Sequence, residues 1–337
     1  MVTSPRRPLS MLDLAIIAPD QTPAEALRAS ITLAQQAERS GYHRVWYAEH
    51  HNMASIASSA TSVLIATVAA HTSTIRLGAG GIMLPNHAPL TIAEQFGTLE
   101  SLHPGRIDLG LGRAPGSDQA TLRALRRTNA AAEAFPQDVL ELQAYLAGRS
   151  VVPGVEAIPG AGTEVPLYIL GSSLFGARLA AALGLPYAFA SHFAPAALEQ
   201  AVAAYRREFE PSDQLTEPYV IAAVNVVADE TDEAADAQFE QIVRWRVARF
   251  LGRGRPFTEA QLDDLVASPQ GRQVAQMMTY SAVGTPERAA AYLDDFAAHA
   301  DADELITAHA SRSLDERLRS VELLAEAAGL RQPAPSA

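Results

Sequence analysis

Along the chain, short continuous apolar runs alternate with longer stretches in which apolar residues recur every three or four positions. The runs cover residues 12–18, 44–48, 74–80, 106–111, 166–170, 186–190, 219–227 and 304–307, eight in all. Stretches of helical period lie between them at 23–40, 58–70, 89–102, 174–183 and 287–300. Uninterrupted apolar strands that alternate with amphipathic helices predict a parallel sheet joined by right-handed crossovers. Eight such units predict closure into a (β/α)8 TIM barrel, with an open doubly wound sheet as the rival. Two stretches exceed what one crossover needs: a Gly/Pro-rich loop at 149–165, and an insertion at 229–285 with its own helical segment near 259–266. Insertions of that kind belong on the catalytic face as lids or pocket walls. No linker divides the chain, so residues 1–330 are expected to form one barrel domain and 331–337 a disordered tail.

Composition narrows the chemistry. The 337 residues include no cysteine, and every one of the 26 basic residues is arginine. A thiolate nucleophile, a Cys-ligated zinc or iron–sulfur site, a disulfide framework, a Schiff-base lysine and a Walker lysine are therefore all excluded. Thirty-eight acidic residues give a net charge of −12 with no long basic run, which argues against nucleic acid as a partner. The longest apolar stretches fall well short of the roughly 20 residues that cross a bilayer. Asp13 and Asp20 interrupt the only N-terminal apolar run that comes after basic residues, so no membrane or secretory segment is expected and the chain is read as cytoplasmic.

In a barrel the working face is built by the segments just past the C-terminal end of each strand. The second run exits into Glu49-His50-His51, the densest cluster of titratable groups in the chain. Strand alternation sends the two rings in opposite directions, so at most one faces the mouth; the structural alternative is a buried Glu–His hydrogen bond with no role in chemistry. No second paired cluster supplies further ligands, so no metal is expected. The third run exits through Gly78-Ala79-Gly80-Gly81, which either lets a flat ligand lie against the main chain or is a bulge at the rim. Arg113 comes after Gly112 at the fourth exit and offers a planar fork of donors to a phosphate. At the fifth exit Gly171-Ser172-Ser173 opens a helix, a plain N-cap or an anion site. Arg113 and the serine pair come from adjacent strands and together can clasp one phosphate.

These motifs, in this order, resemble the bacterial luciferase-like flavin-dependent monooxygenases: Glu49-His50-His51, the run from Arg106 to Arg113, the Gly171-Ser172-Ser173 segment through Phe193, and Val283-Gly284-Thr285-Pro286-Glu287. The resemblance implies a barrel that binds reduced FMN from a separate NAD(P)H:flavin reductase and uses oxygen to oxygenate a small organic substrate. It implies catalysis by His50, phosphate binding by Arg113, Ser172 and Ser173 beside Gly171, and a flavin ring over Ala79 and Gly80, with a non-prolyl cis peptide matching Ala79–Gly80. It further implies a homodimer through the helices at 58–70 and 89–102. Gly171 stands where luciferase itself has an acidic residue, which sets light emission and aldehyde oxidation aside. The rivals are a deazaflavin-dependent oxidoreductase, a group that commonly lacks the paired histidines, and a non-catalytic flavin-binding protein.

Overall fold

The computed structural model describes residues 7–18, 20–113, 118–252, 255 and 257–330; the tail expected at 331–337 lies outside them. Among the described residues there are nine parallel strands: β1 (Leu9–Asp13), β2 (Arg44–Tyr47), β3 (Arg76–Met83), β4 (Ile107–Gly112), β5 (Leu167–Gly171), β6 (Tyr187–Phe189), β7 (Val220–Ala228), β8 (Ser281–Gly284) and β9 (Glu304–His309). Eight of them close a barrel, β1 through β7 in sequence order and then β9, which returns to β1. Strand β8 stands outside this circle and pairs only with the last four residues of β7, Asn225 to Ala228. The (β/α)8 architecture is the one expected, with β8 as an addition that the short, half-buried Ser281–Gly284 run does not announce.

Both faces of the strands are buried, which is why they read as unbroken apolar runs. Outward residues such as Val45, Leu77, Leu109 and Ile169 meet the helices in one continuous core. Inward residues Leu12, Trp46, Tyr168, Ile221 and Ile306 fill the barrel itself. Trp46 needs room there, and Gly78 provides it: a Cβ at that position would lie 2.8 Å from the Trp46 Nε1.

The floor of the barrel is charged. Arg44 donates to Asp108 and to the Tyr168 hydroxyl, both at 2.7 Å, and pairs with Glu304 at 2.9 Å. Trp46 Nε1 and Arg76 also donate to Asp108, and Ser10 and Tyr219 donate to Glu304. Each buried charge thus has an opposite partner and further hydrogen bonds, the condition under which ions survive in a core. The network sits at the strand N-termini, so it closes the end of the barrel away from the mouth.

Two strands, β1 and β3, end elsewhere than the sequence predicts. The first strand begins at Leu9 and ends at Asp13, because the Asp13 carboxylate accepts from the Ala15 N–H and Ala15 takes a left-handed φ of 49°. The rest of the 12–18 run leaves the sheet, and Ile16 forms an isolated antiparallel bridge to Ile56 at the mouth. Strand β3 continues past Gly80 through a register shift between Ala79 and Ile82. A non-prolyl cis peptide is present one bond later than expected, at Gly80–Gly81 rather than Ala79–Gly80. The 149–165 loop is partly packed: Gly160 rests on Gly97 of the helix Pro89–Leu102, so closely that a Cβ on Gly97 would lie 2.1 Å from the Gly160 Cα. The described residues of the long insertion hold three helices, Asp232–Gly252, Glu259–Ala267 and Pro269–Gln276, which pack against one another.

Candidate active site

The strand C-termini surround one cavity of about 710 Å³. Its wall includes His50, Gly80, Arg113, Gly171, Ser172 and Ser173, brought in from β2, β3, β4 and β5. Ala79 is the one candidate that does not reach it. Its side chain points outward into the helix layer and is fully buried, so only its neighbour Gly80 faces the cavity.

At the β2 exit the two histidine rings separate. His50 lines the cavity, and its backbone N–H is fixed by the Ser58 carbonyl at 3.0 Å. Its Nδ1 is buried and makes no hydrogen bond. Burial, and then the nearby Arg249 charge, hold the His50 pKa below its ordinary 6.5 against the pull of Glu49, so the ring is neutral at neutral pH.

His51 turns away and joins a separate cluster. The Glu49 carboxylate, 1% exposed, accepts from His51 Nε2 at 2.8 Å, His87 Nε2 at 2.9 Å, the Met83 N–H at 3.0 Å and Asn86 Nδ2 at 3.3 Å. Burial alone would raise its pKa, yet the donated hydrogen bonds from the two imidazoles outweigh that and bring it down to about 2. The same bond raises His51. Glu49, His51 and His87 offer ligand atoms within 4.8 Å of one another and could hold a cation. Their spacing is that of direct imidazole–carboxylate hydrogen bonds, which satisfy the carboxylate without one. The cluster ties the β2 exit to the end of β3 and to His87 just past it.

On the opposite side, Arg113 lies exposed at the β4 exit, its guanidinium 4.1 Å from the centre of the Phe175 ring and its Nε donating to the Ala132 carbonyl at 3.2 Å. The helix Leu174–Leu183 begins beside it. Ser173 occupies its N-cap with extended backbone, but its hydroxyl makes no capping bond. The first amides of that helix and two serine hydroxyls thus border the cavity next to an arginine that has no carboxylate partner among the described residues. Amides, hydroxyls, helix dipole and guanidinium all favour an anion there.

The remaining wall comes from places the sequence only outlined. Met53, Met83, His192, Met277 and Met278 line the cavity. The helix Asp232–Gly252 covers the mouth with Ile242, Trp245, Arg246, Arg249 and Phe250. Nothing in the apolar periodicity singles out these two arginines. A weaker signal is present, since neither has an acidic residue three or four positions away along the helix.

Such an arrangement defines a class: a (β/α)8 barrel with a cavity at the strand C-termini, lined by an exposed arginine, an uncapped helix start and a half-buried imidazole. The sequence matches the luciferase-like monooxygenase family over residues 8–303, and the chain belongs to that family. It is 46% identical over 319 residues to a luciferase-like monooxygenase of Escherichia coli K12, a match covering 93% of this chain and 95% of the relative. The structure of apo-MsnO8 superposes with a TM-score of 0.88 at 34% identity, covering 97% of this chain and all of the other. The fold is also shared, at TM-score 0.71 and 16% identity over 95% of this chain and 97% of the other, with the oxygenating constituent of 3,6-diketocamphane monooxygenase from Pseudomonas putida, solved in complex with FMN. Among the described residues no helix is long and apolar enough to cross a membrane.

Proposed function

We propose that this chain is a monooxygenase that works with reduced FMN, molecular oxygen and a small organic substrate, the reduced cofactor coming from a separate NAD(P)H:flavin reductase. The observation that carries this reading is that Arg113, the open helix start at Ser172 and Ser173, and His50 all line one cavity. Its size lies within the range of small-ligand and cofactor pockets.

The residues present fit FMN on three counts. Arg113 and the uncapped helix start suit a phosphate, with the Ser173 hydroxyl free of any capping bond. Gly80 leaves main chain facing the cavity, and a Cβ there would lie 2.9 Å from the Trp46 Cβ, so the packing around Trp46 excludes a side chain at this place. The cavity between these two features is walled mainly by apolar side chains such as Leu12, Leu170, Phe135 and Met83.

Reduced flavin, when bound, supplies the electrons with which oxygen is divided between substrate and water. The chain's own part is to bind, orient, exclude water and move a proton. Arg113, Ser172 and Ser173 anchor the phosphate. Neutral His50, whose ring lines the cavity, takes or returns a proton there, a role worth typically a hundredfold or more in rate. Trp245 and Phe250 of the mouth helix shield the cavity from solvent. A dimer through the helices Thr61–Ala69 and Pro89–Leu102 accords with the exposure of Val63 and Leu102.

Titration of the protein with FMN and with riboflavin, oxidised and reduced, tests the reading. A charge-assisted bond to the phosphate is worth about 1.5–3 kcal/mol, so FMN should bind roughly tenfold to a hundredfold more tightly than riboflavin. Arg113→Ala should abolish most of that difference. Equal affinity for the two flavins, or a preference that survives in Arg113→Ala, would overturn the assignment.

A further inference from the structure

The cavity wall is unbalanced in charge. Its lining includes three arginines, Arg113, Arg246 and Arg249, and a single carboxylate, Asp13. Asp13 is already engaged: it accepts from the Ala15 N–H at 2.9 Å and from the Ser30 hydroxyl, and faces Arg317 at 3.9 Å. The cavity's histidines do not offset the excess, because burial holds His50, His192 and His309 neutral and an imidazole carries no negative charge.

The mouth helix treats its arginines in two ways. Arg244 faces outward and pairs with Glu259 at 2.7 Å and with Asp263. Arg246 and Arg249 face inward, and neither makes an ion pair among the described residues. Arg246 Nη1 is buried without a hydrogen-bond partner. Arg249 rests on the Trp245 ring, 5.5 Å from its centre, and sends Nη2 toward the Met53 sulfur at 3.0 Å. A thioether is a weak acceptor for a guanidinium. Burial lowers the pKa of both, Arg246 to about 10, and still leaves them charged at neutral pH. Both arginines are half-buried, and an unpaired cation drawn partly out of water carries a cost that a ligand anion offsets.

We propose that Arg246 and Arg249 bind the carboxylate of the substrate, making this a monooxygenase of small organic acids that carry an apolar chain. The acid's head would lie under the mouth helix, and its chain would rest on Trp245, Phe250, Met53 and Met278. Arg249 and His50 line the same cavity, so a head held under the mouth helix places the substrate in the space that the imidazole also faces. This deepens the oxygenase reading and rests on it. It also assigns a separate task to each side of the cavity: Arg113 serves the cofactor phosphate, and the helix pair serves the substrate.

Binding to FMN-loaded protein tests the proposal, with the linear alkanoates from butanoate to octanoate compared, member by member, with the matching alkanamides. At least one alkanoate should bind tenfold or more tightly than its amide, and the double variant R246M/R249M should lose that preference while keeping its FMN affinity. Two results overturn the proposal: no alkanoate outcompetes its amide in the wild-type protein, or the double variant retains the preference. Loss of FMN affinity in the double variant, with Arg113→Ala unaffected, would assign the pair to the cofactor and likewise refute it. Failure of the flavin reading shows differently, as equal FMN and riboflavin affinity with the alkanoate preference measured on the flavin-free protein.

Discussion

Replacing Glu49 by glutamine removes the charge on which the mouth of the barrel is pinned. In the wild-type protein this carboxylate is buried, collects donors from His51, His87, Met83 and Asn86, and titrates at about 2 instead of the usual 4.5. At about 1.4 kcal/mol per pH unit, the difference means that the folded state favours the ionised form by about 3 kcal/mol. The amide reproduces the shape of the neutral acid, and it turns an NH2 group toward partners that are themselves donors. Glu49→Gln should therefore unfold at lower urea concentration at neutral pH, by about 3 kcal/mol.

The sign of the pH dependence comes from the lowered pKa. The carboxylate's contribution is complete above about 4.5 and disappears as the pH falls through about 2, so the gap between wild type and variant should close across that window. His51, whose pKa is raised, contributes on the other side: its share is complete below its ordinary 6.5 and is lost as the pH rises through its higher folded value. Urea unfolding monitored by circular dichroism at neutral pH, and again midway through the acid window, measures both effects. Equal midpoints at neutral pH, or a gap that does not shrink in acid, would refute the claim that Glu49 is held ionised in this cluster.

Two further outcomes can be checked on the same protein. His50→Ala should keep FMN affinity within about twofold and lower oxygenated product, traced by incorporation of labelled oxygen, by about a hundredfold; the acidic limb due to His50 should lie below pH 6.5, because its pKa is depressed. An unchanged rate would remove His50 from the chemistry. Gly110→Ala would place a Cβ 2.2 Å from the Ala79 carbonyl oxygen of the neighbouring strand, and should destabilise the fold by about 1–3 kcal/mol or more. A thermal midpoint equal to that of wild type would show that the strands separate there without cost.

The legible part of this protein was what local sequence physics dictates. Runs buried on both faces cannot alternate, so the barrel strands stood out as continuous apolar segments, and the helices between them showed their period. The glycine, arginine and serine residues at the exits of β3, β4 and β5 were visible for the same reason, since a strand exit is a local feature. The half-buried β8 was not, because four residues that pair with one strand outside the circle bury too little to leave a pattern.

Only the tertiary structure decided what each polar residue faces. Within two residues the chain sends His50 to the cavity and His51 to Glu49, and His87, remote in sequence, completes that cluster. The hydrogen bonds made there then set Glu49 far below and His51 above their ordinary values. Arg244 and Arg246 are two positions apart on one helix, yet one finds acids at the surface and the other faces the cavity unpaired. Helical period fixes which residues share a face; which face meets the barrel, and whether a counter-charge waits there, depends on packing between segments distant in the chain.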